Sequence, residues 1–452
     1  MRKGKLLCWL QLVTAAVLLA GCATPLRQGG EPLAAWVQAM PEARMQARIV
    51  MAAGDACPGL VVDGRTLASS LRARGAPSSA QPVFDMTVCE AMLPTGAAHV
   101  QLGVRQLPVP NASPRRIVVL GDTGCRTGAG QRCDDPLDWP FARIAAAAAA
   151  MRPDLVIHVG DYHYREQPCP AGAAGCPGTP MGYGWDVWRA DFFAPAAPLL
   201  AAAPWVFVRG NHEECTRAGQ GWHRLLVPQR YDDAANCDDR QPRGAGDFTA
   251  PYAVPLGPAL QLVVFDSGTA GDMGLHAQQP GDARALDVYL AQARSASELA
   301  ARAPTWFVSH HPVFGYAPNP GKPPHAGNAS LQEVLRAVNG DAYYPPSVQL
   351  GLHGHVHLFE ALTFTSGHPP AIVAGHGGVR LDADLPQPAS GWPAAAPGVT
   401  LGPVRHAREF GFLLLEARAD AWSATAYRTD GHVMQVCAVG PGKVLACDGA
   451  AR

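Results

Sequence analysis

The chain has 452 residues, 48% hydrophobic and 16% charged, with 48 glycines and 42 prolines. That length supports a large core and more than one small domain, and the Gly and Pro content implies many loops. The formal charge is −1, so there is no basic excess to hold phosphate backbones, which argues against a nucleic-acid partner.

At the N-terminus Arg2, Lys3 and Lys5 precede the apolar stretch Leu6 to Ala20, the pattern of an export signal. Leu19-Ala20-Gly21-Cys22 resembles the bacterial lipoprotein box. The resemblance implies cleavage after residue 21, lipid on Cys22, and a place in the cell envelope, on the periplasmic side or the cell surface. Loss of the three basic residues takes the formal charge from −1 to about −4. Residues 22–45 read as a polar tether leading into a short helix. Of twelve cysteines, Cys8 leaves with the signal and Cys22 takes the lipid. The ten that remain are Cys57, Cys89, Cys125, Cys133, Cys169, Cys176, Cys215, Cys237, Cys437 and Cys447. An even number in an exported chain points to disulfides, and sequential pairing is the simplest arrangement. No pair has the short spacing of a structural zinc site.

Residues 46–112 lack helical periodicity and read as a small β-rich domain. Its strands are expected at Arg48–Met51, Leu60–Val62, Val83–Val88 and His99–Val104. Pro108, Pro110 and Pro114 punctuate a linker. From 113 to 452 the grammar changes. Ile117–Leu120 ends at Gly121-Asp122, Leu155–Val159 at Gly160-Asp161, and Trp205–Val208 precedes Gly210-Asn211-His212. Leu262–Phe265 ends at Asp266, Trp306–Val308 at Ser309-His310-His311, and Val348–Leu352 precedes Gly354-His355-Val356-His357. Helices are expected at Phe141–Met151, Arg284–Arg302 and Asn328–Val338. The apolar runs Phe410–Leu415 and Trp422–Tyr427 read as strands closing a second sheet. This alternation implies α/β layering with ligand sites at the carboxyl ends of strands.

The candidate ligands sit at those ends: Asp122, Asp161, Tyr164, Asn211, His310, His355 and His357. Carboxylate, phenolate, amide and imidazole together suit hard or borderline ions such as iron, zinc or manganese. The set is too large for one tetrahedral ion and suits two adjacent ions, with Asp161 able to bridge them. Two such ions stabilise the attacking and leaving oxygens of an in-line displacement and make hydroxide available at neutral pH.

The ordered blocks Gly121-Asp122-Thr123-Gly124, Gly160-Asp161-Tyr162-His163-Tyr164, Gly210-Asn211-His212-Glu213, His310-His311-Pro312 and Gly354-His355-Val356-His357 resemble those of calcineurin-like metallophosphoesterases. Asp-x-Gly in the first block and Tyr164 three residues after Asp161 resemble, more narrowly, purple acid phosphatases. The resemblance covers about residues 116 to 430. It implies a four-layer α/β/β/α sandwich, with a β-rich domain ahead of it. It implies a ferric ion held by Asp122, Tyr164 and His357, a divalent ion (Zn, Fe or Mn) held by Asn211, His310 and His355, and Asp161 between them. His212 is then a non-ligand that contacts the phosphoryl group or protonates the leaving oxygen, with Asn211 and His212 the candidate substrate contacts. The chain departs from the family at Asn319 and Pro320, where a substrate-binding histidine is common; His325 is the nearest stand-in.

Other residues carry plainer readings. His158 and the tryptophans at 185, 188 and 205 read as core. His163 and His311 either orient ligands or pack. His376 lies in a glycine-rich loop, Asp266 matches no ligand block, and Glu213 and Glu214 cap or pair locally. The implied activity is hydrolysis of phosphate monoesters by attack of a metal-bound hydroxide, on a small phosphorylated substrate. Two alternatives stand beside it: a phosphodiesterase or nucleotidase on the same centre, and an inert cell-envelope binding protein.

Overall fold

The computed structural model describes residues 30–75, 82–275 and 281–448. The export signal and Cys22 lie outside them. Two large sheets face each other, one of eleven strands and one of seven. In the first, Arg116–Leu120, Leu155–His158 and Trp205–Phe207 run parallel at the centre. In the second, Gln261–Phe265, Thr305–Ser309, Val348–His353 and Ala371–Ala374 run parallel.

Side-chain alternation builds the layers. Ile117, Val119, Ile157 and Val206 point between the sheets and meet Leu262, Val264, Trp306 and Leu350. Val118, Leu120, Trp205 and Phe207 point the other way, onto Phe141, Ile144, Ala145 and Ala148 of the helix Phe141–Ala150. Those four positions share one helical face at spacings of three and four. On the far side Val263, Phe265 and Phe307 pack against the helices Asp282–Ala300 and Ala329–Asn339. The Asn328 side chain caps the second of these by accepting the Leu331 amide at 2.9 Å. The architecture is the expected α/β/β/α sandwich with a β-rich N-terminal region.

Two expectations need correction. The end of the tether is not a helix: Ala34–Met40 is a strand, hairpinned to Arg44–Ala52, and Gln38 pairs in parallel with Trp205. The turn carries Glu42 and Ala43 at φ 63° and 57°, a backbone these residue types do not advertise. A seven-residue apolar run also fits helix or strand by pattern alone. Ala34–Met40, Arg44–Ala52, Met86–Met92 and Ser70–Arg74 thus extend the eleven-stranded sheet, and only Leu60–Val62, Arg65–Leu67, Val100–Leu102 and Arg105–Leu107 form a separate small sheet. The second correction concerns Gly411–Ala417 and Trp422–Arg428, which join the first sheet and not the second: Leu413 pairs with Val119. The run Phe412 to Leu415 is apolar on both faces, which only an interior strand between two layers can bury.

The ten described cysteines pair in sequence order, Cys57–Cys89, Cys125–Cys133, Cys169–Cys176, Cys215–Cys237 and Cys437–Cys447.

Candidate metal centre

Both sheets deliver residues to one place. Asp122, Asp161, Tyr164 and Asn211 follow strands of the first sheet; His310, His355 and His357 follow strands of the second. Asp122, Asp161 and His355 each turn through left-handed backbone, at φ 58°, 60° and 70°. Such a conformation costs a non-glycine residue roughly 1–3 kcal/mol. It is held by cross-links between the loops. The Asp122 amide donates to the Gly160 carbonyl at 2.9 Å, the Thr123 amide to the Asp161 carbonyl at 3.0 Å, and the His355 amide to Asp122 Oδ2 at 3.0 Å. The glycines before the ligands make room for these contacts. A methyl on Gly210 would overlap Asp161 Oδ1, and one on Gly354 would lie 2.6 Å from Asp122 Oδ2.

The polar atoms converge closely. The Tyr164 hydroxyl donates to Asp161 Oδ2 at 2.7 Å and lies 3.1 Å from both Asp122 Oδ1 and His357 Nε2. Asn211 Oδ1 stands 3.1 Å from His310 Nε2 and 3.1 Å from His355 Nδ1. Asp161 Oδ2 is 3.3 Å from His310 Nε2 and so faces both groups. All seven sequence candidates therefore share one cluster. Among the described residues no Lys or Arg pairs with Asp122 or Asp161, although both carboxylates are buried. Burial and the Asp161 charge raise the Asp122 carboxyl well above the usual range. Burial pushes Asp161 the same way, but His310 and His212 outweigh it and hold it well below. Burial beside these carboxylates drives the Tyr164 phenol well up. Two buried carboxylates with no Lys or Arg partner among the described residues, together with a phenol, are a donor set that a bound metal cation neutralises.

Surrounding groups hold the donors. His310 Nδ1 meets the Val159 carbonyl at 2.8 Å, and His357 Nδ1 meets the Arg380 carbonyl at 3.1 Å. Asp272 Oδ2 lies 3.3 Å from His355 Nε2, and Asp382 Oδ2 accepts the His357 amide at 2.9 Å. The Glu213 carboxylate accepts the amides of Asp161, Tyr162 and Gly210 at 2.9–3.1 Å. It is local, as expected, yet it shapes two ligand loops. The buried Asp191 carboxylate accepts the amides of Cys125, Tyr164 and Arg165 and pairs with the Arg165 guanidinium at 2.6 Å. Asp191, Asp272 and Asp382 carry no local sequence signal.

His212 is buried with its ring centroid 3.9 Å from that of Tyr164. Its Nε2 lies 3.8 Å from Asp161 Oδ2, Glu166 Oε1 is 3.3 Å from its Nδ1, and Arg217 Nη2 lies 2.6 and 2.9 Å from the two ring nitrogens. Burial lowers its pKa. His311 stacks on His355 at 4.2 Å and meets Ser267 Oγ at 3.2 Å, and Asp272, His311 and His355 form a second group of close donors. His163 meets the Gly182 carbonyl and His158 packs on Tyr162. Asp266 is taken up by the Thr249 and Gly268 amides and Arg209. His376 is buried against Phe359, away from polar partners.

Cavities flank the cluster on two sides. One, of about 570 Å³, is lined by Arg126, Tyr164, Glu166, His212 and Arg217. The other, of about 320 Å³, is lined by His355, Asn328, Tyr316 and His325.

Residues 115–359 match the calcineurin-like phosphoesterase family, and the chain belongs to that family of metal-dependent phosphoric ester hydrolases. The solved structure of PhoD is similar in fold, with a TM-score of 0.54 at 13% identity, covering 93% of each chain. A solved structure of GAP50, the anchor in the inner membrane complex of Plasmodium, matches at a TM-score of 0.41 and 14% identity, over 75% of this chain and 90% of its own. No curated protein matches the sequence.

Proposed function

We propose that the protein is a binuclear phosphomonoesterase of the purple-acid-phosphatase kind, exported and lipid-anchored through Cys22. One observation carries the reading: seven residues from two sheets converge, two of them buried carboxylates that pair with no Lys or Arg among the described residues. Asp122, Tyr164 and His357 would hold a ferric ion, and Asn211, His310 and His355 a divalent one, with Asp161 shared. When bound, the ions supply a water of lowered pKa and charge neutralisation at the phosphoryl oxygens. The phenol on the Asp122 side supports iron there, because its proton must be displaced by a strongly attracting cation.

The chain's own residues do the rest. His212 and Asn211 stand at the face of the cluster and contact the phosphoryl oxygens. His212 is placed to hand a proton to the leaving oxygen, with Glu166 and Arg217 fixing its ring. The lipid anchor is supported by the Leu19-Ala20-Gly21-Cys22 pattern and agrees with five disulfides in the remainder.

The test is metal analysis with a visible spectrum on purified protein, followed by turnover of an aryl phosphate. The expected result is two metals, a tyrosinate-to-iron band lost in Tyr164→Phe, and turnover abolished by Asn211→Ala and His212→Ala. Two metals with no turnover across a broad phosphoester panel would sink the enzyme reading in favour of an inert binding protein. The presence of cavities on both sides of the centre favours one second reading, a diesterase with an ester arm in each. Faster turnover of a bis-aryl phosphate than of its monoester would establish it.

A further inference from the structure

The 570 Å³ cavity beside Tyr164 and His212 holds two arginines in different circumstances. Arg217 is engaged by Glu166 in a two-pronged pair at 2.6 and 2.7 Å, so that pair is neutral as a unit. Arg126 is half-buried, and among the described residues no carboxylate lies within ion-pair distance of it. Its guanidinium carbon sits over the Tyr164 ring, 4.9 Å from the centroid, while Asp122, Asp161 and His357 meet at the hydroxyl of that ring.

The backbone beneath Arg126 is fixed several times over. The Cys125–Cys133 disulfide closes its loop. Gln131, buried inside that loop, accepts the amides of Arg126 and Arg380 and donates to the carbonyls of Asp138 and Gly378. Arg380 Nη1 donates to the Ala129 carbonyl at 3.0 Å, and the Cys125 amide donates to Asp191. A cation without an acidic partner, held over a ring at the mouth of a cavity by such a framework, is an anion receptor in waiting.

We infer that Arg126 binds a second anionic group of the substrate, a phosphate or carboxylate carried by the leaving group in the His212 cavity. The inference rests on the phosphoesterase reading, since a phosphoryl group at the centre is what directs its leaving group there. It names a substrate class, phosphoesters with a further negative charge close to the ester.

Binding and turnover test it separately. The metal-loaded full chain is titrated calorimetrically with orthophosphate and with pyrophosphate, as wild type, Arg126→Gln and Arg126→Lys. Circular dichroism and metal content check that each variant is intact. Arg126→Gln is expected to weaken pyrophosphate binding roughly tenfold to a hundredfold, to leave orthophosphate unchanged, and to be partly rescued by lysine. Equal weakening of both anions overturns the inference, because Arg126 then serves the scissile phosphoryl group. Unaltered pyrophosphate binding overturns it too. If aryl phosphate is turned over normally while pyrophosphate is indifferent to Arg126, this inference falls alone. If no phosphoester is turned over but the pyrophosphate preference follows Arg126, the functional reading falls and the anion site stands.

Discussion

The two halves of the centre are built from different chemistry. The half supplied by the first sheet presents Asp122, Asp161 and Tyr164, three oxygen donors buried together. Its loops are stapled by carboxylates deeper in the fold, Glu213 and Asp191, each accepting three backbone amides. The other half presents His310 and His355 of the second sheet around the side-chain amide oxygen of Asn211, with nitrogen donors in the majority. Its rings are held by Val159 on His310 and by the exposed Asp272 on His355, and its loop by the His355 amide on Asp122. The oxygen-rich half concentrates negative charge and is rigidly anchored, which favours the more highly charged ion. The imidazole half tolerates several divalent ions.

The sharpest way to break this comparison is Asp161→Ala, the one residue both halves share. It is expected to abolish turnover and reduce bound metal together, read by metal analysis and aryl phosphate assay. If it spared one full equivalent of metal with activity intact, the halves would be independent.

Next is the staple. Asp191→Ala strands the buried Arg165 charge and three amides, and is expected to cost about 3–5 kcal/mol of stability. A denaturant titration measures it. On the proposed metal assignment, Asp272→Asn tests the weaker half and is expected to lower affinity for the ion held by His355 by roughly tenfold to a hundredfold, with any tyrosinate-to-iron band unchanged. An equal loss of both ions would show that the halves are not separable.

The last effect is one of slope. Burial pushes Glu360, in the second-sheet strand Phe359–Phe364, up to about 8. A carboxyl whose folded pKa is raised stabilises the fold at low pH and loses that contribution as pH rises, here between about 4 and about 8. Glu360→Gln is expected to flatten the fall in melting temperature across that window and to change little below it.

The ligands of both halves were legible because Asp122, Asp161, Asn211 and His355 each follow a glycine near the end of an apolar run, and Tyr164, His310 and His357 stand within three residues of such a block or of Pro312, a local pattern. The staples were not. Asp191 reaches Cys125 across 66 positions from inside a helical turn, and Asp272 reaches His355 across 83 from a loop. Nothing near either residue in the sequence announces the contact. Glu213 could be read as a local cap because its partners include Gly210, three residues before it, but its hold on Asp161 is long-range. Ala34–Met40 failed for another reason. Its strand character comes from neighbours at Arg44–Ala52 and Trp205, not from its own alternation.

That first strand has a consequence for how the chain assembles. Gln38 waits 167 positions for Trp205, and Val119 waits 294 for Leu413. Until Trp205 arrives, the Ala34–Ala52 hairpin presents an unpaired edge. The disulfides span only 7 to 32 positions, so they tie off local loops without shortening either search. Folding is therefore expected to be slow and governed by sheet closure, with oxidation of the cysteines able to finish long before the metal donors from the two sheets meet.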